Sequence, residues 1–266
     1  MGDYINFTRV KAIVVRNLFE WRRNLDRIID SVWWASVDII FWGLTSSYLK
    51  KSNPEIQDIV SFFLGGIILW VFVQNSQRDI NMPLLGEAWN RNLINLFTTP
   101  IKLGEFIFGT IILGLIKLFI TISTISLLAF FLYQFNIFKL GGYLIFAVVN
   151  LILVGWWVGF IIDGLILRFG YRIEALAWAL IFVIYPFSAI FYPVSILPFW
   201  AQIIARVLPT SYIFESMREV IFNGRFDFRN IIIATILNVF YITFSIMFMK
   251  LMFKEALKHA RLVKLN

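Results

Sequence analysis

Residues 185–224 read YPFSAIFYPVSILPFWAQIIARVLPTSYIFESMREVIFNG. Pro186, Pro193, Pro198 and Pro209, out of seven prolines in the chain, fall in this one stretch. Each removes a backbone donor and clashes with the preceding helical turn, and each pushes the residue before it out of the α region. Their spacing is too short for an uninterrupted membrane-spanning helix, yet aliphatic and aromatic residues run through the whole stretch. Apolar chain broken this often fits a segment that dips into a bilayer and returns, which is viable only where protein or water satisfies the backbone. Glu215, Arg218 and Glu219 follow inside it, and Glu215 with Arg218 one turn on is expected to form an ordering charge pair.

Composition sets the class around that segment. The 266 residues are 60% hydrophobic and 15% charged, with a mean hydropathy of +0.80. A soluble domain is closer to half apolar and a quarter charged. The expectation is an all-α polytopic membrane protein, one domain over 1–266, since long apolar runs recur from end to end. Without cysteine there is no disulfide, thiolate metal site or thiol nucleophile. The charged start predicts no signal peptide, and Asn6 stands where a myristoylation motif requires Ser or Thr.

Six apolar segments of spanning length are predicted, near 32–49, 59–80, 106–133, 143–167, 173–192 and 231–253. The net charge of +8 then has a topological explanation that needs no nucleic acid. One side collects the basic N-terminal segment, Arg78, Arg91, Lys102, Arg168, Arg172 and the tail Lys250, Lys254, Lys258, Arg261 and Lys264. The other side holds fewer cations, Lys50, Lys51, Lys139, Arg206, Arg218, Arg225 and Arg229. By the positive-inside rule both termini are cytoplasmic and the 193–224 region is external.

Two further segments are amphipathic. Over 5–28, Val10, Val14, Leu18, Trp21, Leu25 and Ile28 share one helical face while Arg9, Arg16, Glu20, Arg23 and Arg27 share another. That pattern predicts a helix lying on the membrane or packed on a partner. Over 84–99, bracketed by Pro83 and Pro100, Leu85, Trp89, Leu93 and Leu96/Phe97 form the apolar face, with Glu87, Arg91 and Asn95 elsewhere. Such a cytoplasmic helix suits either a groove on a soluble partner or the bilayer surface. Within the spans, Asp38, Lys117 and Asp163 are the costly ionisable groups. Lys117 is expected either to be neutralised by one of these aspartates or to snorkel. Gly155-x-x-x-Gly159 offers a close helix-packing face.

Catalytic machinery is missing. His259 is the only histidine, which removes His-based metal sites and His-dependent triads, and no phosphate-binding G-x-x-x-x-G-K-[ST] loop occurs. Glu215 and Glu219 have no nucleophile or ligand set beside them.

The residues together resemble the type-2 class of ABC exporter permeases, which includes polysaccharide, teichoic-acid and drug exporter subunits. The most specific match is FYPVSILPFW at 191–200 followed by LPTSYIFESMR at 208–218 and Asn223-Gly224. A second is Pro100-Ile101 followed by Glu105 and Gly109. The resemblance implies a plasma (inner) membrane permease of six spans, an interface helix at 1–30, a coupling helix at 84–99 and external re-entrant helices at 193–224 between spans five and six. It implies no cofactor in this chain, with ATP and Mg bound by a partner ABC ATPase present in two copies, and a second permease subunit, identical or paralogous. Glu87, Trp89, Arg91, Leu93, Phe97, Pro100 and Glu105 would form the ATPase-coupling loop. Pro193, Pro198, Pro209, Tyr212, Glu215 and Arg218 would form the exit-side region. The substrate is left between a lipid-linked glycan and a lipophilic drug or lipid, because the aromatic residues serve either a channel or ordinary interfacial belts. An ion-coupled transporter relying on Asp38, Lys117 and Asp163, or a structural assembly protein, are the readings from other classes.

Overall fold

The computed structural model describes residues 5–52 and 58–258. His259, Arg261 and Lys264 of the basic tail lie outside the described residues. Among those described there are ten α-helices, four short 3-10 turns and no strand. The helices are α1 (Phe7–Arg23), α2 (Leu25–Ser52), α3 (Ile59–Trp89), α4 (Leu93–Thr98), α5 (Leu103–Tyr133), α6 (Tyr143–Phe169), α7 (Glu174–Ile184), α8 (Phe199–Val207), α9 (Pro209–Asn223) and α10 (Phe228–Lys258).

Four of them, α3, α5, α6 and α10, are long and apolar enough to cross a membrane. Three of these have 31 residues, which at ~1.5 Å per residue is about 46 Å, more than the ~30 Å hydrocarbon layer. Long helices of this kind project past the bilayer. The segment expected to span over 173–192 is shorter. It forms α7, of 11 residues, and a 3-10 turn at Tyr185–Phe187, and goes no further as a helix. Pro186 explains the stop, because it has no N–H to extend the ladder.

Packing centres on α3. Its middle is buried almost all round, from Leu64 to Val73. α6 crosses it through Gly155 and Gly159, as the small-residue spacing predicts. A Cβ at Gly155 would come within 2.6 Å of both Ser76 Cβ and the Val73 carbonyl oxygen. On its other side α6 packs against α10. There Asn238 Nδ2 donates to the Asn150 carbonyl (3.1 Å) and side-chain oxygen (3.0 Å), while Gly164 lies against Met249. Small residues and amide pairs replace the hydrophobic drive that lipid does not supply between helices.

The N-terminal helix differs from expectation in two ways. It ends at Arg23, with Asn24 as its C-cap, and residues 25–30 belong to α2. Its inward stripe is Val10, Ile13, Asn17 and Trp21, and this packs on α5, whereas Phe7, Val15 and Phe19 are exposed. Of the stripe expected to face the membrane or a partner, Val10 and Trp21 are buried against the protein itself, and Leu25 is exposed.

Candidate functional site

At one end of the bundle α1, α3, α4 and α5 are tied into a single junction. Asn6 caps α1 by accepting from the Thr8 N–H (2.9 Å), and its own N–H donates to Glu105 Oε1 (2.9 Å). Glu105 Oε2 accepts from the Lys102 N–H (2.9 Å), closing a capping box at the start of α5, and lies 3.6 Å from Arg9. Arg9 also donates to the Pro100 carbonyl at 2.5 Å. About two turns further along α1, Arg16 pairs with Glu87, whose second oxygen accepts from Asn92 Nδ2 at 2.6 Å. Two buried carboxylates therefore fix α1 to the connection between α3 and α5. Trp89 Nε1 donates to Glu174 Oε2 (3.1 Å), and Phe97 packs on Phe253 with ring centroids 4.9 Å apart. These bring the start of α7 and the end of α10 to the same junction.

The predicted loop helix at 84–99 is corrected here. α3 runs straight through Pro83 to Trp89, and after a break in which Arg91 takes a φ of 53° a short α4 covers 93–98. Proline inside a helix costs a hydrogen bond, about 3 kcal/mol. The burial of Leu84, Leu85 and Ala88 and the Arg16–Glu87 pair offset it. The apolar face is also turned inward: Leu93 and Leu96 are buried and Phe97 is covered by α10. Of the residues assigned to coupling, Glu87, Leu93 and Glu105 are internal and hold the junction together, and Phe97 is half-buried against Phe253. Trp89, Arg91 and Pro100 are the ones left on the surface.

At the opposite end the proline-rich stretch is broken where its prolines stand. Pro193 precedes a 3-10 turn at Val194–Ile196, Pro198 precedes α8, and Pro209 opens α9 at a position where its missing donor costs nothing. Side chains satisfy the freed backbone. Gln202 donates to the Leu197 carbonyl (2.8 Å), Tyr192 to Pro186 (2.5 Å), Tyr212 to Arg206 (2.9 Å) and Tyr241 to Val207 (2.8 Å). Glu215 and Arg218 pair at 2.8 Å as expected, and each does a second job. Glu215 Oε1 accepts from the Val194 N–H (2.7 Å). Arg218 donates to the carbonyl of Ala189 (2.8 Å), a non-glycine residue held at a φ of 57°, and lies over the Phe62 ring. The pair thus clamps both sides of the 189–194 bend.

The interior charges are partnered differently from expectation. Lys117 Nζ is 3.1 Å from Asp79 of α3, and neither Asp38 nor Asp163 pairs with it. Asp163 is fully buried and accepts from Asn81 Nδ2 (2.7 Å). Asn81 in turn donates to the Gly159 carbonyl (2.8 Å) and accepts from Gln77, which reaches the Ala177 carbonyl of α7 (3.0 Å). One polar ladder therefore joins α3, α6 and α7. Asp38 instead lines a cavity of about 540 Å3 between α2, α3 and α7, with Trp34, Gln74, Asn75, Arg78, Trp178 and Phe182 around it. Gln77, Asp79 and Asn81 are functional candidates that the span-by-span reading passed over. Their signal was present as the polar run Gln74–Asp79, followed by Asn81 after Ile80, in the last turns of an otherwise apolar span.

A family model described as ABC-2 type transporter matches residues 8–222. No curated protein matches the chain.

Proposed function

The chain belongs to the ABC-2 type transporter family, and from that premise we propose that it is the transmembrane permease subunit of an ATP-driven exporter. Members of this family are multi-pass membrane components of transporters, are not themselves catalytic, and normally work with an ABC ATPase. In this reading ATP and Mg are held by that partner, two copies of which serve two permease subunits. α2 and the α7 segment complete six crossings with α3, α5, α6 and α10, so both termini are cytoplasmic at the plasma membrane and α8 and α9 are external re-entrant helices.

The observation that carries the reading is the junction. Trp89, Arg91 and Pro100 stand on the surface of a connection whose buried carboxylates bind it to α1, while Trp89 also reaches α7. A push on that surface is transmitted as a rigid-body displacement of α1, α3, α5 and α7 together. In this reading the pathway runs by the cavity between α2, α3 and α7, and a second permease packs on the outer face of α2, where Trp33, Trp34, Phe41 and Tyr48 are exposed. Indole faces beside Asp38, Gln74 and Asn75 suit a substrate that both stacks and hydrogen-bonds, which favours a lipid-linked glycan over a lipophilic drug or lipid.

The test is copurification. An ATPase with a phosphate-binding loop should be recovered with the tagged chain and lost with Trp89→Ala or Arg91→Glu. Transport driven by a proton gradient without ATP would overturn the reading. ATPase activity of the complex in nanodiscs, stimulated by glycolipid rather than by lipophilic drug, distinguishes the substrates.

A further inference from the structure

A second cavity, of about 390 Å3, lies between α1, α3 and α5, and shares only Arg78 with the lining of the proposed pathway. We propose that it holds the headgroup of a phospholipid carrying both a phosphate and an ammonium group, seated from the cytoplasmic leaflet.

Three features point to that ligand. First, the lining carries both signs in near balance: Arg16 pairs with Glu87 and Lys117 with Asp79, and Arg78 and Glu20 stand beside them. A simple anion or a simple cation would upset that balance, whereas a zwitterion adds no net charge and can set its phosphate toward the basic groups and its ammonium toward the carboxylates. Second, Asn17 on the inward face of α1 lines the cavity at 7% exposure, and its Nδ2 is buried with no hydrogen-bond partner. A buried amide donor left unpaired is costly, and an acceptor such as a phosphate oxygen satisfies it. Third, the cavity adjoins an apolar track. Next to Lys117 on α5, Ile116, Phe119 and Ile120 are exposed, and they lead away from the charged lining along the helix. A headgroup in the cavity leaves its acyl chains on that track, which a soluble ligand would not use.

Position gives the site a consequence. Its walls include Arg16 and Glu87, the pair that fastens α1 to the end of α3. A bound headgroup therefore braces the same contact that the coupling surface depends on.

The cavity can be filled without harm to the fold. A Cβ at Gly86, which lines it, would meet nothing within 4 Å. Gly86→Leu also replaces a helix-interior glycine by a strong helix former, so loss of binding cannot be put down to a weakened helix. The experiment is native mass spectrometry of the delipidated protein titrated with phosphatidylethanolamine, phosphatidylglycerol or free phosphoethanolamine. The wild type should retain phosphatidylethanolamine at least tenfold more tightly than phosphatidylglycerol, and Gly86→Leu and Asn17→Leu should each weaken it about tenfold. Equal retention by the wild type and both variants overturns the site. Phosphatidylglycerol binding as tightly overturns the zwitterionic assignment, and free phosphoethanolamine binding as tightly as the lipid overturns the lipid source.

Discussion

Replacing Gly155 by alanine adds one methyl group where the backbones of α3 and α6 approach closely. That carbon would lie 2.6 Å from Ser76 Cβ, 2.6 Å from the Val73 carbonyl oxygen and 2.9 Å from the Gln77 nitrogen. Two of the three atoms are backbone, so no rotamer change relieves the clash. Recovering ordinary contact at ~3.5–4.0 Å requires α3 and α6 to part by about 1 Å. Overpacking of this kind costs roughly 1–3 kcal/mol, and backbone contacts put it at the upper end. Alanine's better helix propensity returns about 1 kcal/mol, leaving a net loss of about 2 kcal/mol. For a chain of this size about 1 kcal/mol moves Tm by roughly 2–4 °C, so Gly155→Ala should lower it by about 4–8 °C. Two controls bracket the effect. At Gly159 the nearest atoms, Ile80 Cβ and Cγ2, lie at 3.2 Å, so a few tenths of an ångström suffice and alanine there should be close to neutral. At Gly86 nothing lies within 4 Å, and alanine should raise Tm by about 2–4 °C. Thermal unfolding in detergent, followed by the fluorescence of the 10 tryptophans, reads all three. If Gly155→Ala melted with Gly86→Ala, the close approach of α3 and α6 would not be what holds this crossing.

Two more predictions follow from the ion pairs. Lys117→Met leaves Asp79 buried without its cation and should cost about 3–5 kcal/mol, while the double variant with Asp79→Leu should recover most of that; a double variant as unstable as the single one would refute the pairing. The charge-swapped Glu215→Arg with Arg218→Glu should not be rescued relative to either single variant. An arginine cannot accept from the Val194 N–H, nor can a carboxylate donate to the Ala189 carbonyl, so full rescue in a protease-protection assay of the 189–194 bend would contradict this account.

Much of the frame was legible in the chain because it rests on local properties. Pro193, Pro198 and Pro209 break the backbone wherever they stand, and the helices start beside them as their chemistry requires. Gly155 and Gly159 announce a close helix crossing by spacing alone, and Glu215 with Arg218 announce a pair at one helical turn. Amphipathicity was less informative. The stripes at 5–28 and 84–99 mark one buried face each, but periodicity does not say whether lipid, a partner or the same chain covers it. The same chain covers part of each stripe, Val10 and Trp21 in the first and Leu85, Leu93 and Leu96 in the second, while Leu25 and Trp89 stay exposed. Proline was misleading once, at Pro83, where α3 continues because tertiary burial outweighs a local penalty.

The sequence by itself determined what depends on composition and near neighbours: an all-helical chain with spans that cross a membrane, broken helices between 185 and 224, and, through its family, the class of machine. Tertiary structure alone decided the partners of the interior charges. Asp38, Asp79 and Asp163 all lie in apolar helices, and nothing in their spacing says which one faces Lys117. Rotation of α3 against α5 places Asp79 there, its rotation against α6 gives Asp163 to Asn81, and Asp38 is left lining the cavity between α2, α3 and α7. The physical reason is that an unpaired charge in apolar surroundings costs several kcal/mol. Its partner is therefore whichever polar group the packing of whole helices brings within about 3 Å, a long-range outcome that no short window of sequence contains.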